Sequence, residues 1–225
     1  MKITWIGQAG LLFEHNGFRV MIDPYLSDSV GKIDPSKHRR VEVDEALFEI
    51  KPDVMIFTHN HLDHYDPETV DRFITAESGI TVLSPTSVYL EVRKHGGNNN
   101  YVVFDPRTQW SEGGIRFYSI KATHSDPYAI GVIIDDGERK YYVSGDTLYN
   151  EDIFTDLPDD IYAVFLPING VGNNMNMADA KCFCQRVGAE HVVPLHCGLF
   201  DGIDMNALEV ENKIVPKFYK EVVFE

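Results

Sequence analysis

The sequence predicts an α/β fold: a four-layer αββα sandwich in which two mixed β-sheets pack face to face and helices cover their outer sides. Three observations predict it. Strand-like and helix-like runs alternate along the chain. Each half opens with a meander of strands and continues in β, α, β order. The run at residues 54–57 is continuously apolar, as in strands buried on both faces of a sheet. No linker rich in Pro or Ser divides the halves and no fixed-period repeat relates them, so residues 1–225 are expected to form one domain.

The elements follow in order. KITWI, LLFEH and FRVMID read as strands, and Asn16-Gly17 between the second and third is a strong hairpin signal. After a loop over residues 23–40, VDEALFEI reads as a short helix with Val43, Ala46, Leu47 and Ile50 on one face, stopped by Pro52. DVMIFT is the buried strand. Asp66 as cap, Pro67 in the first turn and Glu68 near the positive end of the dipole predict a helix over PETVDRFI. ITVLS, a helix SVYLEVRKHG closed by Gly96, and YVVF complete the first half. In the second half, IRFYSIKA, YAIGVIID and KYYVSG are strands with an Asp136-Gly137 turn between the last two. AVFLPI, a helix from Met177 to Val187, and HVVPLH follow.

Composition narrows the function. With 225 residues, 44% of them hydrophobic and 24% charged, the chain can bury a substantial core. Thirty-five acids against 20 Lys and Arg give a net charge of −15, which repels phosphate backbones and argues against nucleic acid as a partner. The tight basic cluster is Lys37-His38-Arg39-Arg40, where Arg39 and Arg40 are candidates to hold a substrate phosphate or to be a solvated pair. No apolar run approaches the roughly 20 residues that cross a bilayer, and the start MKITWIGQAG lacks a signal-like stretch, so no membrane association and a cytoplasmic location are expected. Three cysteines, Cys182, Cys184 and Cys197, predict buried or incidental thiols in place of a disulfide framework.

The chemistry concentrates at residues 57–66, FTHNHLDHYD, directly after the buried strand. Four further polar stretches end predicted strands: MIDP (Asp23), ATHSD (His124), SGDT (Asp146) and PLHCG (His196). Strand ends on one rim can converge on a common site. His59 and His61, one residue apart in extended backbone, point the same way and can hold one cation; Asp63 and His64 can hold another. A dinuclear site wants about three protein ligands per ion and a bridging carboxylate, with the ions ~3.5–4 Å apart. His124 can complete the first set, His196 the second, and Asp146 can bridge. His15, His38, His95 and His191 are isolated and read as surface or packing residues.

HxHxDH after a strand, then a downstream His, an Asp and a last His, resembles the signature of the metallo-β-lactamase superfamily. His59, His61, Asp63, His64, His124, Asp146 and His196 match it in order. The resemblance covers nearly the whole chain. It implies the four-layer fold and two divalent ions, zinc or manganese. One is held by His59, His61 and His124, the other by Asp63, His64 and His196, with Asp146 between them. TWIGQAGLLFEHNGFRVMIDPYLSD and LPINGVGNNMNMADA are similar to the branch containing L-ascorbate-6-phosphate lactonase. That branch implies a cytoplasmic hydrolase of a small anionic ester or lactone, and a homo-oligomer as one possible assembly.

The expected mechanism is hydrolysis by a hydroxide generated between the two ions, with Asp63 as orienter and proton acceptor and Asn174 as a donor to the leaving oxygen. Asn173 and Asn174 are candidate substrate contacts, because NGVGNNMNM precedes a helix whose free amides favour an anion; the competing reading is a loop and helix cap. Asp23 is a candidate partner to a ligand histidine or a turn former before Pro24, and Gln8 either lines the pocket or shapes a loop. The alternatives are a metallophosphodiesterase and, of another class, a non-hydrolytic di-iron redox or ligand-sensing protein.

Overall fold

The computed structural model describes residues 1–224. In the first half β1 (Lys2–Gly7), β2 (Gly10–His15) and β3 (Phe18–Ile22) form an antiparallel meander. Asn16 and Gly17 both take positive φ, 51° and 85°, as the right-handed twist of a two-residue hairpin requires. After α1 (Ser29–Ile33), strands β4 (Val54–Ile56), β5 (Thr81–Ser84) and β6 (Asn100–Val103) add in parallel to β3, linked by α2 (Pro67–Phe73) and α3 (Thr86–Val92). In the second half β7 (Gln109–Glu112), β8 (Ile115–Lys121), β9 (Ile130–Asp135) and β10 (Lys140–Val143) are antiparallel. Following α4 (Ile153–Asp156), β11 (Ile161–Pro167) and β12 (His191–Leu195) continue in parallel, connected by α5 (Met177–Val187). The two-residue β13 (Lys220–Glu221) returns to pair with β1. The sheets are mixed, in the orders β13-β1-β2-β3-β4-β5-β6 and β12-β11-β10-β9-β8-β7.

Burial explains the layering. Val54 and Ile56 join the cluster between the sheets, together with Phe13, Phe117 and Phe165. Met55 and Phe57 face the other way, against Val70, Phe73, Val88 and Val92 of α2 and α3. Both faces of the first sheet are dry at its centre, which is why β4 and β5 are buried without alternation.

One expectation is corrected and two strands are added. VDEALFEI is not an α-helix: Glu45–Glu49 is a 3-10 turn, with Leu47 N–H donating to Asp44 O and Ile50 N–H to Leu47 O. Asp44 caps it by accepting from Ala46 N–H, and only Leu47 is buried; the proposed apolar face fails at the exposed Ala46. The strands β7 and β13 carry no apolar alternation, and pairing to their neighbours alone makes them strands. Asp66 caps α2 as expected, accepting from Glu68 and Thr69 N–H.

Parallelism then positions the site. β1, β3 and β4 run the same way, as do β8, β10, β11 and β12, so their C-terminal ends emerge on one rim of each sheet. Backbone bonds join the rims: Ile130 N–H donates to Thr58 O at 3.0 Å, and His196 N–H to Gln8 O at 3.1 Å. Gly145 lies in this seam at φ +60°, where an added Cβ would meet Ile130 O at 2.6 Å.

Candidate metal centre

All seven histidines and aspartates singled out by spacing meet at this rim. The loop after β4 supplies His59, His61, Asp63 and His64; β8 leads to His124, β10 to Asp146 and β12 to His196. One group of side chains with potential ligand atoms within 4.8 Å of one another is His59, His61, His124 and Asp146, and another is Asp63, His64 and His196. Asp146 reaches the second group too: its Oδ2 lies 3.2 Å from His196 Nε2 and its Oδ1 3.3 Å from His64 Nε2. A third grouping, Asp23 with His59 and His64, is occupied by internal bonds. Asp23 Oδ1 accepts from Thr58 N–H at 2.8 Å, and its Oδ2 accepts from the Thr58 hydroxyl at 2.5 Å and from His64 Nδ1–H at 2.8 Å.

Each remaining contact fixes which nitrogen faces inward. Thr58 Oγ1 spends its proton on Asp23 and so accepts from His59 Nδ1–H at 3.0 Å, leaving His59 Nε2 with its lone pair inward. That nitrogen and Asp146 Oδ1 are buried without a hydrogen-bond partner. Buried orphan acceptors are costly, and two within one His/Asp cluster fit a divalent cation. His124 Nδ1 donates to Asn173 O at 3.2 Å, while its Nε2 lies 3.1 Å from His61 Nδ1.

The electrostatics agree with this reading. Burial penalises charge on Asp63 and Asp146, but the adjoining His64 and His196 hold both carboxyls well below the usual range. Burial likewise opposes charge on His196, yet Asp146 and Asp63 outweigh it and hold its pKa up at about 10. His64 is raised in the same way by Asp146, Asp23 and Asp63. His59 is pushed well down by burial, with His64 adding to the effect. Without a cation, protons on His64 and His196 take the place of positive charge that the carboxylates require.

Residues beyond the seven lie around this core. Gln8, which the sequence offered as a pocket or loop residue, donates from Nε2 to Asp63 Oδ2 at 2.8 Å while its backbone carbonyl accepts from His196 N–H. Asp126 accepts from Asn60 N–H, the Ser87 hydroxyl and Tyr128 N–H, stitching the His59–His64 loop to the His124 loop. Gln8, Asp23, Asn173 and His196, four of the eight non-glycine residues at positive φ among the described residues, lie in this site, so backbone strain concentrates here.

Other expectations change. Asn174 is buried, and one N–H of its side-chain amide donates to Asp146 Oδ2 at 2.8 Å. Asn173 is exposed at the mouth. The first amides of α5 are not open to an anion, because Asn176 Oδ1 accepts from Ala178 and Asp179 N–H. Arg39 is half-buried and its guanidinium is committed to the carbonyls of Val41, Tyr25 and Ser27 and to Tyr219 Oη. Cys197, beside His196, is a buried thiol whose pKa burial pushes up to about 12.

Residues 2–196 match the family described as the beta-lactamase superfamily domain. The chain belongs to the metallo-β-lactamase superfamily. Among its relatives is a UPF0173 metal-dependent hydrolase of Exiguobacterium sp., 28% identical over 92% of this chain and 90% of that protein. Among solved structures, Igni18, a metallo hydrolase of Ignicoccus hospitalis, superposes with a TM-score of 0.80 at 20% identity, over 100% of this chain and 98% of its own. The isothiocyanate hydrolase from Delia radicum gut bacteria gives 0.78 at 19%, over 100% and 99%. This metallo-β-lactamase-superfamily chain is thus a metal-dependent hydrolase, with the fold of those neighbours and a His/Asp cluster suited to metal.

Proposed function

We propose that the protein is a dinuclear metallohydrolase that opens a small anionic ester or lactone, in the manner of L-ascorbate-6-phosphate lactonase. The observation that carries the reading is Asp146, whose two oxygens stand between the group of His59, His61 and His124 and the group of Asp63, His64 and His196. Those seven residues would hold two zinc or manganese ions, within one domain spanning residues 1–225. Bound divalent ions supply a water activated near neutral pH and Lewis-acid stabilisation of an oxyanion.

The chain's own groups do the rest. Asp63 uses Oδ2 for Gln8 and His196, which leaves Oδ1 to orient the attacking water and accept its proton. Its depressed pKa keeps the carboxylate ionised and able to accept a hydrogen bond from that water. Asn174 orients Asp146, and the exposed Asn173 is the asparagine available to substrate. The anionic group of the substrate has Arg40 as its cation. Arg40 makes no ion pair among the described residues, and its N–H donates to Leu199 O on the loop that follows His196.

The test is metal quantification on purified protein, followed by a hydrolase panel with zinc and manganese each added back. Lactone opening is the expected result. Turnover of bis-p-nitrophenyl phosphate alone would replace the lactonase reading with a phosphodiesterase one, and a di-iron centre with oxygen reactivity and no hydrolysis would remove both.

A further inference from the structure

The segment from Asn169 to Asn174, between β11 and α5, touches three of the seven site residues. Asn174 donates to Asp146, the carbonyl of Asn173 accepts from His124, and the Asn169 side-chain amide lies 3.0 Å from His196 Nδ1. The third contact differs in kind from its equivalents elsewhere. The outward-facing nitrogens of the other four imidazoles each meet an oxygen: Thr58 Oγ1 for His59, Ser125 Oγ for His61, Asp23 Oδ2 for His64 and Asn173 O for His124. His196 Nδ1 meets an amide nitrogen, Asn169 Nδ2 at 3.0 Å, while Gln8 Nε2 lies 3.2 Å from both ring nitrogens.

Nε2 is the nitrogen that His196 turns to Asp63, His64 and Asp146, at 3.1, 3.2 and 3.2 Å. An imidazole that ligates through Nε2 carries its proton on Nδ1 and needs an acceptor there. Gln8 cannot provide one, since its amide nitrogen is already bound to Asp63 Oδ2 at 2.8 Å. Asn169 can. Its Oδ1 is buried without a hydrogen-bond partner, so a half-turn of the amide brings oxygen to Nδ1 and gives up no existing Oδ1 bond.

We propose that Asn169 is the positioning residue of His196, its Oδ1 accepting from Nδ1–H whenever Nε2 serves as a ligand. One loop then orients His124 from the first ligand group, His196 from the second, and Asp146 between them. Gly170 and Gly172, at φ +68° and +67°, let six residues make all three contacts. The inference rests on the metal-site reading above.

The experiment compares the whole protein with Asn169→Leu, which removes both amide functions, and Asn169→Asp, which keeps only acceptors. Zinc affinity is measured by chelator competition, and the His196 Nδ1 proton is observed by NMR in zinc-loaded protein labelled with 15N-histidine. We expect about 10–100-fold weaker zinc binding and a lost or fast-exchanging Nδ1 proton in Asn169→Leu, with Asn169→Asp within a few-fold of the native chain. If Asn169→Asp falls as far as Asn169→Leu while both keep native circular dichroism, the amide acts as a donor and the proposal is overturned. Equal affinity in all three proteins would overturn it too, leaving the metal site intact. A native chain that binds no zinc or manganese would instead remove the metal reading on which it rests.

Discussion

Asp23 places three hydrogen bonds on two oxygens at zero exposure, and two of them set imidazole orientation: directly for His64, and through the Thr58 hydroxyl for His59. One carboxylate therefore reaches into both ligand groups. Asp23→Asn would set an amide N–H against either Thr58 or His64 Nδ1–H, so the weakened acceptor leaves His64 free to change tautomer. Metal affinity is expected to fall about 10–100-fold, as for other partners of ligand histidines, by chelator competition. Unchanged affinity would return Asp23 to the role of a turn residue before Pro24. His61→Ala makes the complementary case. His61 is partly exposed and its ring nitrogens meet His124 and Ser125, so its loss opens a ligand position without emptying a core. Bound metal and hydrolysis should both disappear while circular dichroism stays native, and a fully active variant would contradict the ligand set.

At the scale of elements, the site depends on how closely two rims approach, and Gly145 marks the tightest place. At φ +60°, with Ile130 O 2.6 Å from where a Cβ would lie and Thr58 Cβ at 3.1 Å, no side chain fits without moving backbone. Gly145→Ala should destabilise the protein by about 1–3 kcal/mol in denaturant unfolding, and displacement at Thr58 should weaken metal binding at the adjoining His59. An unchanged unfolding midpoint would refute the close approach. The same seam explains what could be read from sequence. HxHxDH was legible because one short loop carries four chemically unusual residues, and α5 from Met177 to Val187 because its Asn cap and terminal Gly188 are local signals. Gln8 and Asn169 were not legible as contacts. Their partners, Asp63 and His196, lie 55 and 27 residues away, and only strand order brings them together. The same limit applies to Glu45–Glu49, where a period over eight residues cannot separate a 3-10 turn from an α-helix.

For the whole molecule, the buried charges link stability, metal and pH. In the cation-free chain His196 has its pKa raised from 6.5 to about 10, and His64 is raised with it. Stability from a raised histidine is fully present below its unfolded pKa of 6.5 and is lost as pH climbs through the folded value. Asp63 and Asp146, depressed from 3.8, contribute stability above that value and lose it in acid. His59 and His124 are pushed down from 6.5, so the unfolded chain binds their protons first and stability also falls as pH drops below 6.5. These groups therefore place the cation-free optimum near pH 6.5, with a decline toward 10. Metal loading works in the opposite sense above the optimum, because ligation through His64 and His196 displaces the two protons that stabilise the free form. The gap between the melting temperatures of loaded and metal-free protein should therefore widen from about pH 6 to about pH 9. Thermal melts with and without zinc or manganese across that range check this, and calorimetry in buffers of different ionisation enthalpy should register proton release on loading. A gap independent of pH, with no protons released, would mean that His64 and His196 are not where the metal binds.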